Sequence, residues 1–347
     1  MNKEILLCVE LLKNEPDEHF IRRTLKSLDR NEFLLVASAF PVDQLLISAE
    51  RLRLNALKGK LLQLLAGNML IRRNFEDLLL KLVRKFNREG IDFILLKGFA
   101  FPELVGFRTT SDIDFLVKKD SWKRCLETLN SFGFYAHSKH SLQYYNSFLN
   151  EVTLVFKPNP ALKVEPHWGI VQPFSPFSIN NASLWKHSKL SSIRGHPVRV
   201  LCDEHTLIHL SIHALYQPAS ILPLRDIYVI HKMISTRSIN WNFLIREARS
   251  WKAHNFVYSA LIISKKYFGT PVPQRALDLL RRRGFQLFLI WAFSSLRLRR
   301  RRLAAYDSLD FFYEFFLADI SGKIGILRRS FYSFTYELGL FHKRDAL

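Results

Sequence analysis

Little in this chain could cross-link it or anchor it. Its three cysteines, Cys8, Cys125 and Cys202, lie far apart among 347 residues, with no C-x-x-C pair and an odd count. That argues against a disulfide framework or a zinc ribbon and favours a reducing, cytoplasmic setting. No apolar run approaches the ~20 residues that a membrane-spanning helix requires. The run at 285–293 covers only nine residues and reads as a buried helix or, alternatively, as a peripheral membrane contact. The start, Met1-Asn2-Lys3-Glu4-Ile5-Leu6-Leu7, alternates charge and reads as a helix opening, without the three regions of a signal peptide. No Gly/Ser linker or low-complexity tract interrupts residues 1–88, and fixed-period repeats are missing. So are a Walker A sequence and a G-x-G-x-x-G, which disfavours P-loop and Rossmann folds. There is no H-E-x-x-H either, although His205, His209 and His213 share one helical face; they read as core or substrate-facing histidines.

Acidic residues are in short supply, 31 against 51 Lys and Arg, which gives a formal net charge of +20. A field of that sign attracts polyanions: nucleic acid, nucleotides or an anionic membrane surface. The excess concentrates late, in Arg281-Arg282-Arg283 and between Arg297 and Arg302, where a solvated helix face is the plainer reading. A 48% hydrophobic and 13% aromatic composition supports a sizeable core.

The pattern along the chain predicts three regions. Residues 1–88 read as helices, with Leu54, Leu57, Leu61 and Leu64 at helical spacing and a second helix over 69–87 ended by Gly90. Residues 89–200 change to short strands: 91–96, the segment around Asp112 and Asp114, 142–148, 152–156 and 162–165. A helix from Asp120 or Ser121 to Ser131 interrupts them. Residues 201–347 return to helix and carry the basic clusters. The expected class is α+β, a small mixed core between two helical regions.

The chemistry concentrates in Ser111-Asp112-Ile113-Asp114-Phe115-Leu116-Val117. Two carboxylates one residue apart in a strand project from the same face, and both stay ionised only with a cation between them. Glu165, near the end of a later strand cut short by Pro166, would supply a third acid. Three acids on neighbouring strands can hold two Mg²⁺ ions, one activating an acceptor hydroxyl and one carrying a triphosphate. Gly98, in a strand-to-helix turn, lets a phosphate approach its amide, and Lys97 and Arg108 could neutralise phosphate charge. Leu224-Arg225-Asp226 reads as an ion pair between helices.

Leu95-Leu96-Lys97-Gly98, Arg108 with Ser111-Asp112-Ile113-Asp114, and Glu165-Pro166-His167-Trp168 together resemble an uncharacterised bacterial nucleotidyltransferase family of the polymerase β-like superfamily. The resemblance spans roughly residues 40–270. It implies the nucleotidyltransferase fold, with Asp112 and Asp114 as the metal pair and Glu165 as the third, acceptor-activating acid. Lys97, Gly98, Arg108 and Ser111 would lie on the nucleotide side. Phe99 follows Gly98 where the superfamily usually has serine or glycine, so a hydroxyl contact to phosphate is missing. Glu165 replaces the commoner aspartate and reaches one methylene further. The implied activity is Mg²⁺- or Mn²⁺-dependent transfer of a nucleoside monophosphate from an NTP, ATP being one, to an acceptor hydroxyl, with release of pyrophosphate. The acceptor would be a small molecule, a protein or an RNA 3′ end such as that of tRNA. The competing reading is a non-catalytic nucleotide- or RNA-binding module of the same fold.

Overall fold

The computed structural model describes residues 3–136, 149–216, 223–281, 290, 316–317 and 323–328. The expected strand at 142–148, most of the apolar run at 285–293 and the basic cluster at 297–302 lie outside the described residues. The chain divides into two compact units, one drawn from residues 1–74, 101–110 and 203–306, the other from 75–100, 111–202 and 307–347.

The first unit is helical. It opens with α1 (Lys3–Leu11), α2 (Glu18–Leu25), α3 (Arg30–Ser38) and α4 (Val42–Arg51). Asp17 and Asp29 start α2 and α3 by accepting from the otherwise unpaired amides of Phe20, and of Asn31 and Glu32. Helix α5 runs from Asn55 to Glu89, so the two helical patterns expected at 54–65 and 69–87 form one helix. The reason lies at Asn68, which does not cap a new helix: its side-chain amide donates to the Phe107 carbonyl at 3.2 Å. Residues 55–74 of α5 belong to the first unit and 75–89 to the second.

Helix α6 (Pro102–Val105) also belongs to the first unit and ends at Gly106. Gly106 has φ 57° and ψ −159°, a conformation open essentially to glycine alone. A Cβ there would meet Asp43 Oδ1 at 2.6 Å and Pro41 Cβ at 2.7 Å.

The second unit is built on a mixed seven-stranded sheet ordered β3-β4-β5-β2-β1-β7-β6. Its strands are β1 (Phe93–Leu95), β2 (Ile113–Val117), β3 (Phe134–Ala136), β4 (Leu154–Phe156), β5 (Lys163–His167), β6 (Lys189–Ile193) and β7 (His196–Val200). Two helices accompany it, α7 (Trp122–Ser131) and α8 (Asn181–Lys186). β1 and β2 are antiparallel with Leu95 opposite Phe115, and β2 and β5 are parallel with Asp114 opposite Glu165. Alternation along β2 separates two chemistries. Phe115 points to the face where Phe86 of α5 and Phe93 meet it edge-on, centroids 5.4 to 6.0 Å apart. Asp114 points to the other.

The C-terminal helices of the first unit are α9 (Asp203–Leu215), α10 (Pro223–Thr236), α11 (Trp241–Ser250), α12 (His254–Phe268) and α13 (Gln274–Leu280). Helices α9, α10 and α12 pack on one another. Asp226 of α10 is buried and accepts from His213 of α9 at 2.7 Å and from Arg225 at 3.2 Å. His231 stacks on Phe268 and shares a hydrogen bond of 3.0 Å with Thr270. No helix among the described residues is long and apolar enough to cross a membrane.

Two stability measurements test this packing. Gly106→Ala should destabilise the first unit by about 3 kcal/mol through clash and backbone strain. Gly90→Ala, whose Cβ would meet nothing within 4 Å at φ 63°, should cost about 1 kcal/mol. Equal melting temperatures for the two variants would contradict this account. Burial, and then Lys232, hold His231 down from its ordinary 6.5 to about 4. A depressed histidine contributes stability that is complete above pH 6.5 and is lost as pH falls toward 4. The melting temperature of the wild type, plotted against that of His231→Gln, should therefore fall more steeply across that window.

Candidate active site

The acidic face of the second unit is assembled by strand register. Because β2 and β5 are parallel, Asp114 lies beside Glu165 and Leu116 beside His167, so Asp114, Glu165 and His167 share one face. β4 runs antiparallel to β5 with Leu154 opposite Val164, and the same register continues to a bridge between Glu151 and His167. It places Thr153 across from Glu165, where its hydroxyl donates to Oε1 at 2.8 Å.

Pro166 predicts a strand end at Glu165. The strand instead continues to His167, because proline removes only one donor from the ladder. The Pro166 carbonyl still accepts from Val152 at 3.2 Å, and Trp168 donates to the Asn150 carbonyl at 2.9 Å.

The charges form an alternating chain. Asp114 Oδ1 accepts from Lys97 Nζ at 3.0 Å and from His167 Nε2 at 3.1 Å, and His167 Nδ1 lies 2.9 Å from Glu151 Oε2. The His167 ring is 2% exposed and the Asp114 side chain 7%. Burial works against the charged ring, but Glu151 and Asp114 outweigh it and raise His167 to about 9. Burial would also raise Asp114, yet Lys97 and His167 hold it far below the ordinary carboxylate range. Glu151 follows the same logic, its burial overcome by His167.

Glu165 is the exception. Burial and the fields of Asp114, Glu151 and Asp112 all push it upward, to about 7. A carboxylate in that position gains most from a cation.

One ligand atom each from Asp114, Glu165 and His167 lie within 4.8 Å of one another, close enough to hold a metal ion. Asp114 and Glu165 offer carboxylate oxygens to that group and His167 a ring nitrogen; the two nitrogens of the His167 ring also lie near Asp114 and Glu151.

Of the residues expected at the site, the structure brings Asp114 and Glu165 together beside Lys97, whereas Asp112 is not part of the group of ligand atoms formed by Asp114, Glu165 and His167. Asp112 precedes the first residue of β2 and bonds to Ser111 Oγ at 2.7 Å; its field reaches Lys97 and Glu165. Gly98 is the second residue of a 3₁₀ turn, Lys97–Ala100, and the left-handed conformation falls on Lys97 (φ 49°). Arg108 belongs to the first unit, with Nη1 3.8 Å from Asp226. His205, His209 and His213 form no metal-holding group among the described residues; His205 instead pairs with Glu247 at 3.2 Å.

Sequence reasoning assigns no role to His167, Glu151 or Thr153. His167 carries a usable signal, since Glu165-Pro166-His167 repeats the two-residue spacing of Asp112 and Asp114. Glu151 and Thr153 carry none, because antiparallel pairing alone brings them in.

An α+β fold whose mixed sheet presents a buried Asp/Glu/His group defines a nucleotidyltransferase-like core. The model of a family described as uncharacterised nucleotidyltransferase matches residues 41–269, and the chain belongs to that family. It is accordingly a transferase of nucleotidyl groups. No curated protein matches it.

Metal binding at this face is measurable directly. Mn²⁺ at a hundredfold excess over its Kd should stabilise the wild type by about 2.7 kcal/mol in a thermal-shift titration. Glu165→Gln should abolish the shift; if it leaves the shift intact, Glu165 is not a ligand.

Proposed function

We propose that this nucleotidyltransferase carries a nucleoside monophosphate from an NTP to an acceptor hydroxyl, with Mg²⁺ or Mn²⁺ held by Asp114, Glu165 and Asp112. One observation carries the reading: Glu165 lies within ligand distance of Asp114 and His167 and is raised to about 7 by its acidic neighbours. A bound divalent ion would supply charge neutralisation at the transferring phosphoryl group, where positioning and electrostatics dominate the chemistry. The acceptor oxygen forms a bond to the α-phosphorus, the α–β bridge bond breaks, and pyrophosphate leaves. Glu165, fixed through Oε1 by Thr153, is the group suited to draw the proton from the acceptor hydroxyl. His167, clamped between Glu151 and Asp114, holds the Asp114 carboxylate in place. Gly98 and Ser111 border the nucleotide side of the site in this reading. Arg108 is not used.

The net charge of +20 supports a polyanionic acceptor, such as an RNA 3′ end, among the hydroxyl acceptors. The three cysteines of the chain are free and buried, which fits a reducing compartment such as the cytoplasm.

Incubation with α-³²P-labelled NTPs, Mg²⁺ and a panel of small molecules, proteins and tRNA tests the proposal. Label should move to an acceptor with stoichiometric pyrophosphate, and Asp114→Asn should lower the rate by at least about 10²-fold. If no NTP is consumed, and RNA binding survives EDTA and falls steeply with salt, the chain is a binding module instead.

A further inference from the structure

We infer that the Lys97 ammonium permanently occupies the place of one of the two cations that such a site is built to hold, so that the enzyme works with a single divalent ion. The inference rests on the nucleotidyl-transfer reading above and deepens it.

Sharing two metal ions between Asp112 and Asp114 requires both oxygens of Asp114. Oδ1 already accepts from Lys97 at 3.0 Å and from His167 at 3.1 Å. A carboxylate oxygen offers about two lone-pair directions, so these two donors take both. Oδ2 alone remains to ligate, and one oxygen on that side serves one ion. A second ion at Oδ1 would have to displace an ammonium or an imidazolium from a buried carboxylate.

The backbone holds Lys97 where it is. Lys97 is in the left-handed region at φ 49°, a conformation unfavourable for a residue other than glycine. Strain of this kind persists only where the surroundings over-determine it. Here the preceding residue, Leu96, donates its amide to the Asp114 carbonyl at 2.9 Å, and the Lys97 side chain returns to the Asp114 carboxylate. A lysine reaching outward for nucleotide phosphates needs neither constraint. Lys97 also lies in the field of Asp114, Glu151, Asp112 and Glu165 together. Lysine is suited to this place, being a compact point charge with three donors rather than a planar fork.

The experiment counts ions. Mn²⁺ bound per folded chain is measured by equilibrium dialysis and electron paramagnetic resonance, with saturating α,β-methylene analogues of the four ribonucleoside triphosphates. The wild type should bind one Mn²⁺ and Lys97→Arg also one. Lys97→Met, with Asp114 Oδ1 uncovered, should bind two. Two ions on the wild type, or an unchanged single ion on a folded Lys97→Met chain, would overturn the inference. If Lys97→Met does not fold, the counts for the wild type and Lys97→Arg decide alone. Two ions together with nucleotidyl transfer would remove the inference and leave the function standing; no bound Mn²⁺ with any analogue would remove both.

Discussion

The carboxylate of Asp114 is nearly withdrawn from water, and its Oδ1 is met by an ammonium on one side and an imidazolium on the other. An isolated charge in that position would be expensive, and deleting one partner of such a buried pair costs about 3–5 kcal/mol. The surrounding architecture exists in the service of that balance. Lys97 arrives from the turn after β1, His167 from the end of β5, and Glu151 closes the far side of the imidazole. Positive and negative groups alternate along the series Lys97, Asp114, His167, Glu151. Glu165 stands beside it, raised to about 7 by burial and its acidic neighbours, where a cation would be most favourable.

The same strand supports this arrangement from its other face. Phe115, one residue beyond Asp114, closes an edge-on aromatic cluster with Phe86 and Phe93, each almost fully buried. Aromatic pairs of this geometry contribute about 0.5–1.5 kcal/mol each beyond their area. They also fix the register of β2, because a slip of one residue would drive Asp114 into the phenylalanines. The stability of the sheet and the orientation of its acids are therefore one constraint.

Much of this is legible in the residues alone. Asp114 in an apolar strand reads as an acid in need of a cation and Glu165 as a further acid, and the two do lie side by side in the sheet, whereas Asp112, expected in the same strand, precedes β2. Lys97 is expected on the nucleotide side, and nothing local says which anions a lysine meets. The Asp114 carboxylate meets it at 3.0 Å. Pro166 misleads, because its missing donor suggests a strand end where the ladder merely loses one bond. Arg225-Asp226 is readable as an ion pair, but Arg108 as a further neighbour is not.

What the sequence by itself determined is local and periodic: leucines at helical spacing along α5, a two-faced β2, and acids spaced to share a side. Those properties depend on neighbours within a few residues, where the geometry of the chain is set by covalent structure. What only the tertiary structure decided is which charges meet. Glu151, Thr153 and His167 reach Asp114 and Glu165 through strand pairing over long sequence separations. Their energies come from burial and mutual distance, neither of which is written in the spacing of residues along a chain.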